Sequence, residues 1–264
     1  IGKIHFTGGE QTARAVLRAA ADNLTPVVTE LGGKSANIIF ADADLDTAAA
    51  LSAHQGPLMQ SGQSCACASR ILVHDSVYDA FAERFLAVIG AVRIGDPLDP
   101  VTVFGPVISS ASADRIIAAV DRAVAERSGE LLTGGHRMVE GQLAQGYYVA
   151  PTVLGNVDNR SALAQTETFG PVVSLIRFAD DAEAVRIAND TPYGLNAFMH
   201  TRDLNRAHTV ARQLQSGSVW INQISRISPQ GPYGGYKHSG AGRTGGLEGL
   251  QEFQQVKNIR IGLA

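Results

Sequence analysis

Cys65 and Cys67 are the only thiols in this 264-residue chain, and the first sits where a sulfur nucleophile could work. The run Gly62-Gln63-Ser64-Cys65-Ala66-Cys67-Ala68-Ser69-Arg70 surrounds it with small residues. Small neighbours leave room for a ligand and let backbone N–H groups point at the oxyanion that forms when a thiolate attacks a carbonyl. The competing reading is a buried structural cysteine, the commonest fate of a free thiol. Glu30 is the second candidate, at the end of an apolar stretch and ahead of Gly32-Gly33-Lys34. A carboxylate that loses hydration there rises in pKa toward the range of a general base; the plainer alternative is a strand-end acid paired with Lys34. Glu167-Thr168-Phe169-Gly170-Pro171 offers a carboxylate for hydroxyls and a ring for a flat heterocycle, or else a β-turn with a core phenylalanine. Phe6-Thr7-Gly8-Gly9 enters a helix whose N-terminal amides attract phosphate, without the full dinucleotide fingerprint.

Such residues need a scaffold to bring them together. Residues 1–6 read as a strand, 7–9 as a tight turn, 10–23 as a helix with Ala13, Val16, Leu17 and Ala20 at helical spacing, and 26–29 as another strand. This is half of a βαβ unit, and strands of that kind want neighbours on both sides. Further on, helices with stripes Val77, Phe81, Phe85, Val88 and Ile116, Ile117, Val120, Val124 alternate with strands at 36–40, 71–74, 172–178 and 218–221. Asp180 to Glu183 reads as a helix cap. The pattern predicts an α/β fold with a largely parallel sheet.

Composition narrows the function classes. Lys plus Arg number 22 and Asp plus Glu 25, giving a formal charge of −3 and no basic block to bind nucleic acid. No apolar run has the length of a membrane span, and no leader precedes Ile1, so a cytoplasmic protein is expected. Cysteines one residue apart cannot staple distant segments, and no second Cys or His cluster completes a zinc site; no metal is expected.

Taken in order, these segments resemble the aldehyde dehydrogenase superfamily over essentially the whole chain. The likeness extends through Gly95-Asp96-Pro97-Leu98-Asp99-Pro100, Gly105-Pro106-Val107-Ile108-Ser109, Pro192-Tyr193-Gly194-Leu195, Gly217-Ser218-Val219-Trp220-Ile221-Asn222 and Pro232-Tyr233-Gly234-Gly235-Tyr236-Lys237. The resemblance implies oxidation of an aldehyde to a carboxylic acid with hydride transfer to NAD or NADP. Cys65 matches the nucleophile that forms a thiohemiacetal and then a thioester, and Glu30 the base that activates water to hydrolyse it. Glu167 matches a carboxylate on a cofactor ribose, Phe169 a ring beside the nicotinamide, Gly9 a residue near the pyrophosphate, and Leu31 a backbone position near the nicotinamide amide. Ser64, Ala66, Ile227 and Tyr233 match the substrate pocket. Because Glu30 is present, hydrolysis is preferred over transfer to coenzyme A.

The resemblance also implies a layout. Residues 1–32 would close a Rossmann-type cofactor domain, 33–231 would be the catalytic α/β domain, and 232–264 a return segment ending in an oligomerisation strand at 256–261 that serves a homodimer or homotetramer. The chain is about half the family's usual length, so the oxyanion-hole asparagine and most of the cofactor sheet are expected upstream of Ile1. Thr244 stands where many relatives have a glutamate, and Ile227 where the pocket is often aromatic. Two other classes compete: a cofactor-free cysteine acyl hydrolase, and a catalytically silent structural protein.

Overall fold

The computed structural model describes residues 1–263 and contains two sheets. The small one opens the chain: β1 (Ile4–Thr7), α1 (Glu10–Ala21) and β2 (Val27–Glu30), with β1 and β2 parallel. The chain then runs through four residues into β3 (Ser35–Ile39), the first strand of the large sheet. There follow α2 (Leu45–Gln55), β4 (Ala68–His74), α3 (Tyr78–Gly90), α4 (Ser110–Ala125), β5 (Glu130–Thr133), β6 (Thr152–Gly155), the short α5 (Ala162–Gln165), β7 (Val172–Phe178), α6 (Asp181–Asn189), β8 (Asn196–His200), α7 (Leu204–Gln213) and β9 (Ser218–Ile221). Late in the chain β10 (Gly240–Ala241) returns to pair antiparallel with β2, ahead of α8 (Gly246–Gln251).

The large sheet has seven strands in the order β5-β6-β7-β4-β3-β8-β9, all parallel except β5 against β6. Helices cover both faces, which is why its central strands are apolar throughout rather than alternating. On β3 and β4, Ile38 and Leu72 join one core with Ile116 and Val120 of α4, Ile187 of α6 and Val210 of α7. Their neighbours Ile39, Ile71 and Val73 join the other, with Ala49 and Ala53 of α2 and Phe81 and Phe85 of α3. The period of two along each strand divides the residues between the two cores.

Several expectations are refined. The α3 stripe is centred on Tyr78, Phe81, Phe85 and Ile89. On α4, Ala113 and Ala123 are buried while Val124 is exposed. The helix expected over 10–23 ends at Ala21, and Leu24 beyond it takes the left-handed backbone (φ 52°). The strand expected at 256–261 is not formed: the residues are irregular, and Val256, Ile259 and Ile261 are exposed. A strand is held by hydrogen bonds to a neighbouring edge, and no edge within the described residues pairs with this segment. No helix among the described residues is long and apolar enough to cross a membrane.

Candidate active site

Loops at the amino ends of the large-sheet strands converge on one place. Lys34 immediately precedes β3, Cys65 precedes β4, Phe169 precedes β7, and Asn196 is the first residue of β8. Glu30, the last residue of β2, brings the carboxyl end of the small sheet against that edge. Ser239, fully buried, locks the junction: its hydroxyl donates to the Gly32 carbonyl (2.7 Å) and accepts from the Gly194 N–H (3.0 Å), while its carbonyl accepts from the Leu31 N–H (2.9 Å).

The thiol loop is held by its neighbours rather than by helix or strand. Gln60, Ser61 and Gly62 lie in succession in the left-handed region (φ 50°, 55° and 72°), a conformation that costs energy for residues other than glycine. Two contacts hold it: the Ser61 hydroxyl donates to the Gly105 carbonyl (2.8 Å), and the Ile108 N–H donates to Gln63 Oε1 (2.8 Å). Gly62 must be glycine on space as well, since a Cβ there would collide with the Gly170 carbonyl. Beyond the thiol, Gln55 Nε2 donates to the Ala66 carbonyl (2.9 Å), and Gln55 Oε1 accepts from the Ser225 N–H (2.8 Å).

Cys65 is half-buried and Cys67 is buried. Burial pushes the Cys67 thiol up to about 12, which makes it inert. The Cys65 thiol is also raised, first by burial and then by the charges of Glu167 and Glu30; the Tyr233 hydroxyl opposes them. Reactive thiols usually occupy electropositive surroundings, whereas this one has carboxylates as neighbours. To act as a nucleophile it would need a base to take its proton.

Glu30 has the character of one. It is 6 % exposed, and its Oε1 is buried with no hydrogen-bond partner. Burial raises its pKa to about 7, with Arg243 pulling the other way. Lys34, the alternative ion-pair partner, turns away: its buried ammonium donates to Thr168 Oγ1 at 3.4 Å. Burial, then the nearby Arg70 cation, brings Lys34 down to about 7.

Glu167 accepts from the Gly33 N–H at 3.0 Å, and a Cβ on Gly32 would collide with its carboxylate. Burial raises its pKa against the pull of that N–H, Lys34 and Arg115. Phe169 is 41 % exposed with φ 47°, so it is a presented ring on strained backbone rather than a core phenylalanine. Leu31 is buried. Gly9 caps α1, and a Cβ there would meet nothing within 4 Å, which leaves the amino end of α1 open to approach. Ile227 and Tyr233 line a pocket of about 250 Å³ with Trp220, Arg226 and Pro232. Ser64 is half-buried, while Ala66 is 2 % exposed and offers that pocket no surface.

Cys65, Glu30, Glu167 and Tyr233 thus form one electrostatically coupled cluster, and Ile227 stands outside it on the exposed pocket wall. Asn196, Arg243, Ser239 and Gln55 were not singled out from the sequence. Asn196, Arg243 and Ser239 lie far along the chain from the groups they serve, as Gln55 does from Ser225, so local patterning carried no signal for these contacts.

The family model for the aldehyde dehydrogenase family matches residues 1–259. The chain belongs to the aldehyde dehydrogenase family. Solved structures agree. A betaine aldehyde dehydrogenase from Staphylococcus aureus, in complex with NAD+, is 39% identical with a TM-score of 0.93, over 96% of this chain and 50% of that one. A Burkholderia cenocepacia protein, whose own assignment as an aldehyde dehydrogenase is provisional, is 43% identical with a TM-score of 0.93, over 97% of this chain and 52% of that one. This aldehyde dehydrogenase chain therefore spans about half the length of the solved relatives it matches.

Proposed function

We propose that this chain carries the nucleophile and the base of an NAD(P)-dependent oxidation of an aldehyde to a carboxylic acid. The observation that carries the reading is the coupling of a half-buried thiol to a buried, partnerless carboxylate whose pKa lies near neutrality. Cys65 sulfur bonds to the aldehyde carbon and its proton passes to Glu30, a carboxylate able both to take and to release it near pH 7. The backbone N–H of Cys65 faces the oxyanion formed. Bound, the dinucleotide supplies the acceptor for the hydride lost as the thiohemiacetal becomes a thioester. Glu30 releases the Cys65 proton to solvent, then removes a proton from water as it attacks the acyl carbon; the acid leaves and the thiolate is restored.

The residues fit a dinucleotide. Gly9 opens the amino end of a 12-residue helix to phosphate, Phe169 presents a ring, Leu31 lends its backbone, and Glu167 lies within the site to meet a ribose hydroxyl. NAD is favoured by the Staphylococcus relative's complex. In this layout residues 1–32 belong with the cofactor domain, 33–231 form the catalytic domain, and the exposed apolar tail, with Phe253, Val256 and Ile259, is the surface of a homodimer or homotetramer. The test is Glu30→Gln in the protein that carries this chain: steady-state turnover falls at least about 100-fold, while the hydride burst is kept at alkaline pH, where the thiol loses its proton to solvent. Equal steady-state rates would remove Glu30 as the base. A rate independent of added dinucleotide would favour a cysteine acyl hydrolase instead.

A further inference from the structure

Gln55, the last residue of α2, is buried, and its carboxamide touches two loops that lie far apart along the chain. Nε2 donates to the Ala66 carbonyl (2.9 Å) and to Met59 Sδ (3.3 Å). Oε1 accepts from the Ser225 N–H (2.8 Å) and from the Ser225 hydroxyl (3.1 Å), 170 residues further on. A glutamine amide has two N–H donors and two acceptor lone pairs, so its whole capacity is engaged. Its orientation is fixed as well: the Ser225 N–H can only donate and the Ala66 carbonyl can only accept, so the amide cannot turn over. The side chain stands on a rigid foot. Ala49 and Ala53 of α2 pack into one core with Ile39 of β3 and Ile71 of β4. Gly56, which closes the helix, leaves no room for a Cβ between the Ser52 and Ala68 carbonyls.

One end of that amide carries the thiol turn and the other carries the pocket wall. Within the turn, the Ser64 carbonyl accepts from the Cys67 N–H (3.1 Å) and the Ser64 hydroxyl from the Ala66 N–H (3.2 Å), with Cys65 at the bend. Those bonds shape the turn without deciding where it points; the bond from Gln55 to the Ala66 carbonyl anchors it to α2. Ser225 directly precedes Arg226 and Ile227, which line the pocket with Tyr233, in an irregular stretch after β9. We propose that Gln55 is a positioning residue: its single carboxamide sets the Cys65 turn and the pocket loop in register, so that the sulfur meets the carbonyl carbon of an aldehyde lodged against that wall. The inference rests on Cys65 being the nucleophile and on that pocket receiving the aldehyde. Attack needs sulfur and carbon about 3–3.5 Å apart in the right orientation. Two segments outside helix and strand keep such a spacing only when side chains tie them to the scaffold.

The experiment is steady-state kinetics with acetaldehyde and with benzaldehyde in the protein that carries this chain, well below each variant's melting temperature. Gln55→Met keeps the length of the side chain and removes the hydrogen bonds at both ends. Its kcat should fall about 100-fold, the loss expected of a misplacement near 1 Å. The ratio of kcat/KM for the two aldehydes should change about tenfold, because the pocket wall is released at the same time. Ser225→Ala removes one bond at the pocket end and leaves the thiol end in place, so KM should rise by more than kcat falls; it also serves if Gln55→Met does not fold. A glutamine that only stabilises the core would lower the melting temperature and leave kcat, KM and the aldehyde ratio within twofold of the parent. That result in both variants overturns the inference. Should the parent keep its turnover once Cys65 is alkylated, the nucleophile reading fails first, and this inference with it.

Discussion

Gly234 stands against Glu30 so closely that a Cβ at Gly234 would lie 2.7 Å from Glu30 Oε1 and 2.8 Å from the Arg243 side chain. The missing methyl makes room for the Glu30 carboxylate, and Arg243 is held beside it by donating to the Gly242 carbonyl at 2.7 Å. Gly234→Ala must therefore move the carboxylate, and displacing a catalytic group by about 1 Å can cost about 100-fold in rate. Steady-state turnover is the measurement; a rate within twofold of the parent would show that the carboxylate has other room.

The proposed role of Glu30 would set the acid limb of activity. As the proposed base Glu30 must be ionised, and burial raises its pKa to about 7, so turnover should fall as pH drops below that value. Arg243 holds the pKa down. Arg243→Gln should displace the limb to higher pH, and a kcat–pH profile unchanged by that substitution would remove Arg243 from the site's electrostatics.

A base poised in this way weakens the fold. The carboxyl pKa is raised on folding from 4.5 to about 7, so the native state binds the proton more tightly than the unfolded chain. Below pH 4.5 both states are protonated and nothing is lost. Above pH 7 the full cost of burying the charge applies, about 3 kcal/mol. Glu30→Gln should raise the melting temperature over the parent at pH 8, with the gain shrinking toward pH 4.5. A gain independent of pH would contradict the linkage.

Arg70 is the buried staple behind the site. Its guanidinium donates to the Lys34 carbonyl (2.9 Å), Asn159 Oδ1 (2.8 Å), the Ile187 carbonyl (2.8 Å) and the Ala188 carbonyl (2.8 Å). It thus ties the entry of β3 to the end of α6. A lysine cannot span that fork, and a buried charge with acceptors missing costs about 3 kcal/mol. Arg70→Lys should lower stability by that order in denaturant unfolding; a loss under 1 kcal/mol would show that the staple is dispensable.

Four strands of the large sheet, β3, β4, β7 and β9, were legible in the sequence as short runs rich in apolar residues, whereas β5, β6 and β8 were not, and β5 is an exposed edge. Cys65 stood out by its small neighbours, and Glu30 by the glycines after it. What stayed hidden was contact between distant segments. Asn196 reads as an ordinary polar residue opening a strand, and nothing near it in sequence points to a tyrosine at position 233. Nothing in the residues around Arg70 signals burial, yet it is 1 % exposed, because four acceptors from three segments replace its water. Residues 256–261 carry an alternating pattern, but alternation gives a strand only where an edge is present to pair with it.

Gln55 divides the pocket loop into two parts with different freedom to vary. It holds Ser225 with one end of its amide and the turn that bears Cys65 with the other. An insertion upstream of Ser225 would be transmitted to the reacting sulfur. The stretch from Arg226 to Gly231 lies beyond that anchor and also lines the pocket. Changes in substrate preference can therefore accumulate there over evolutionary time while the machinery of bond making keeps its alignment.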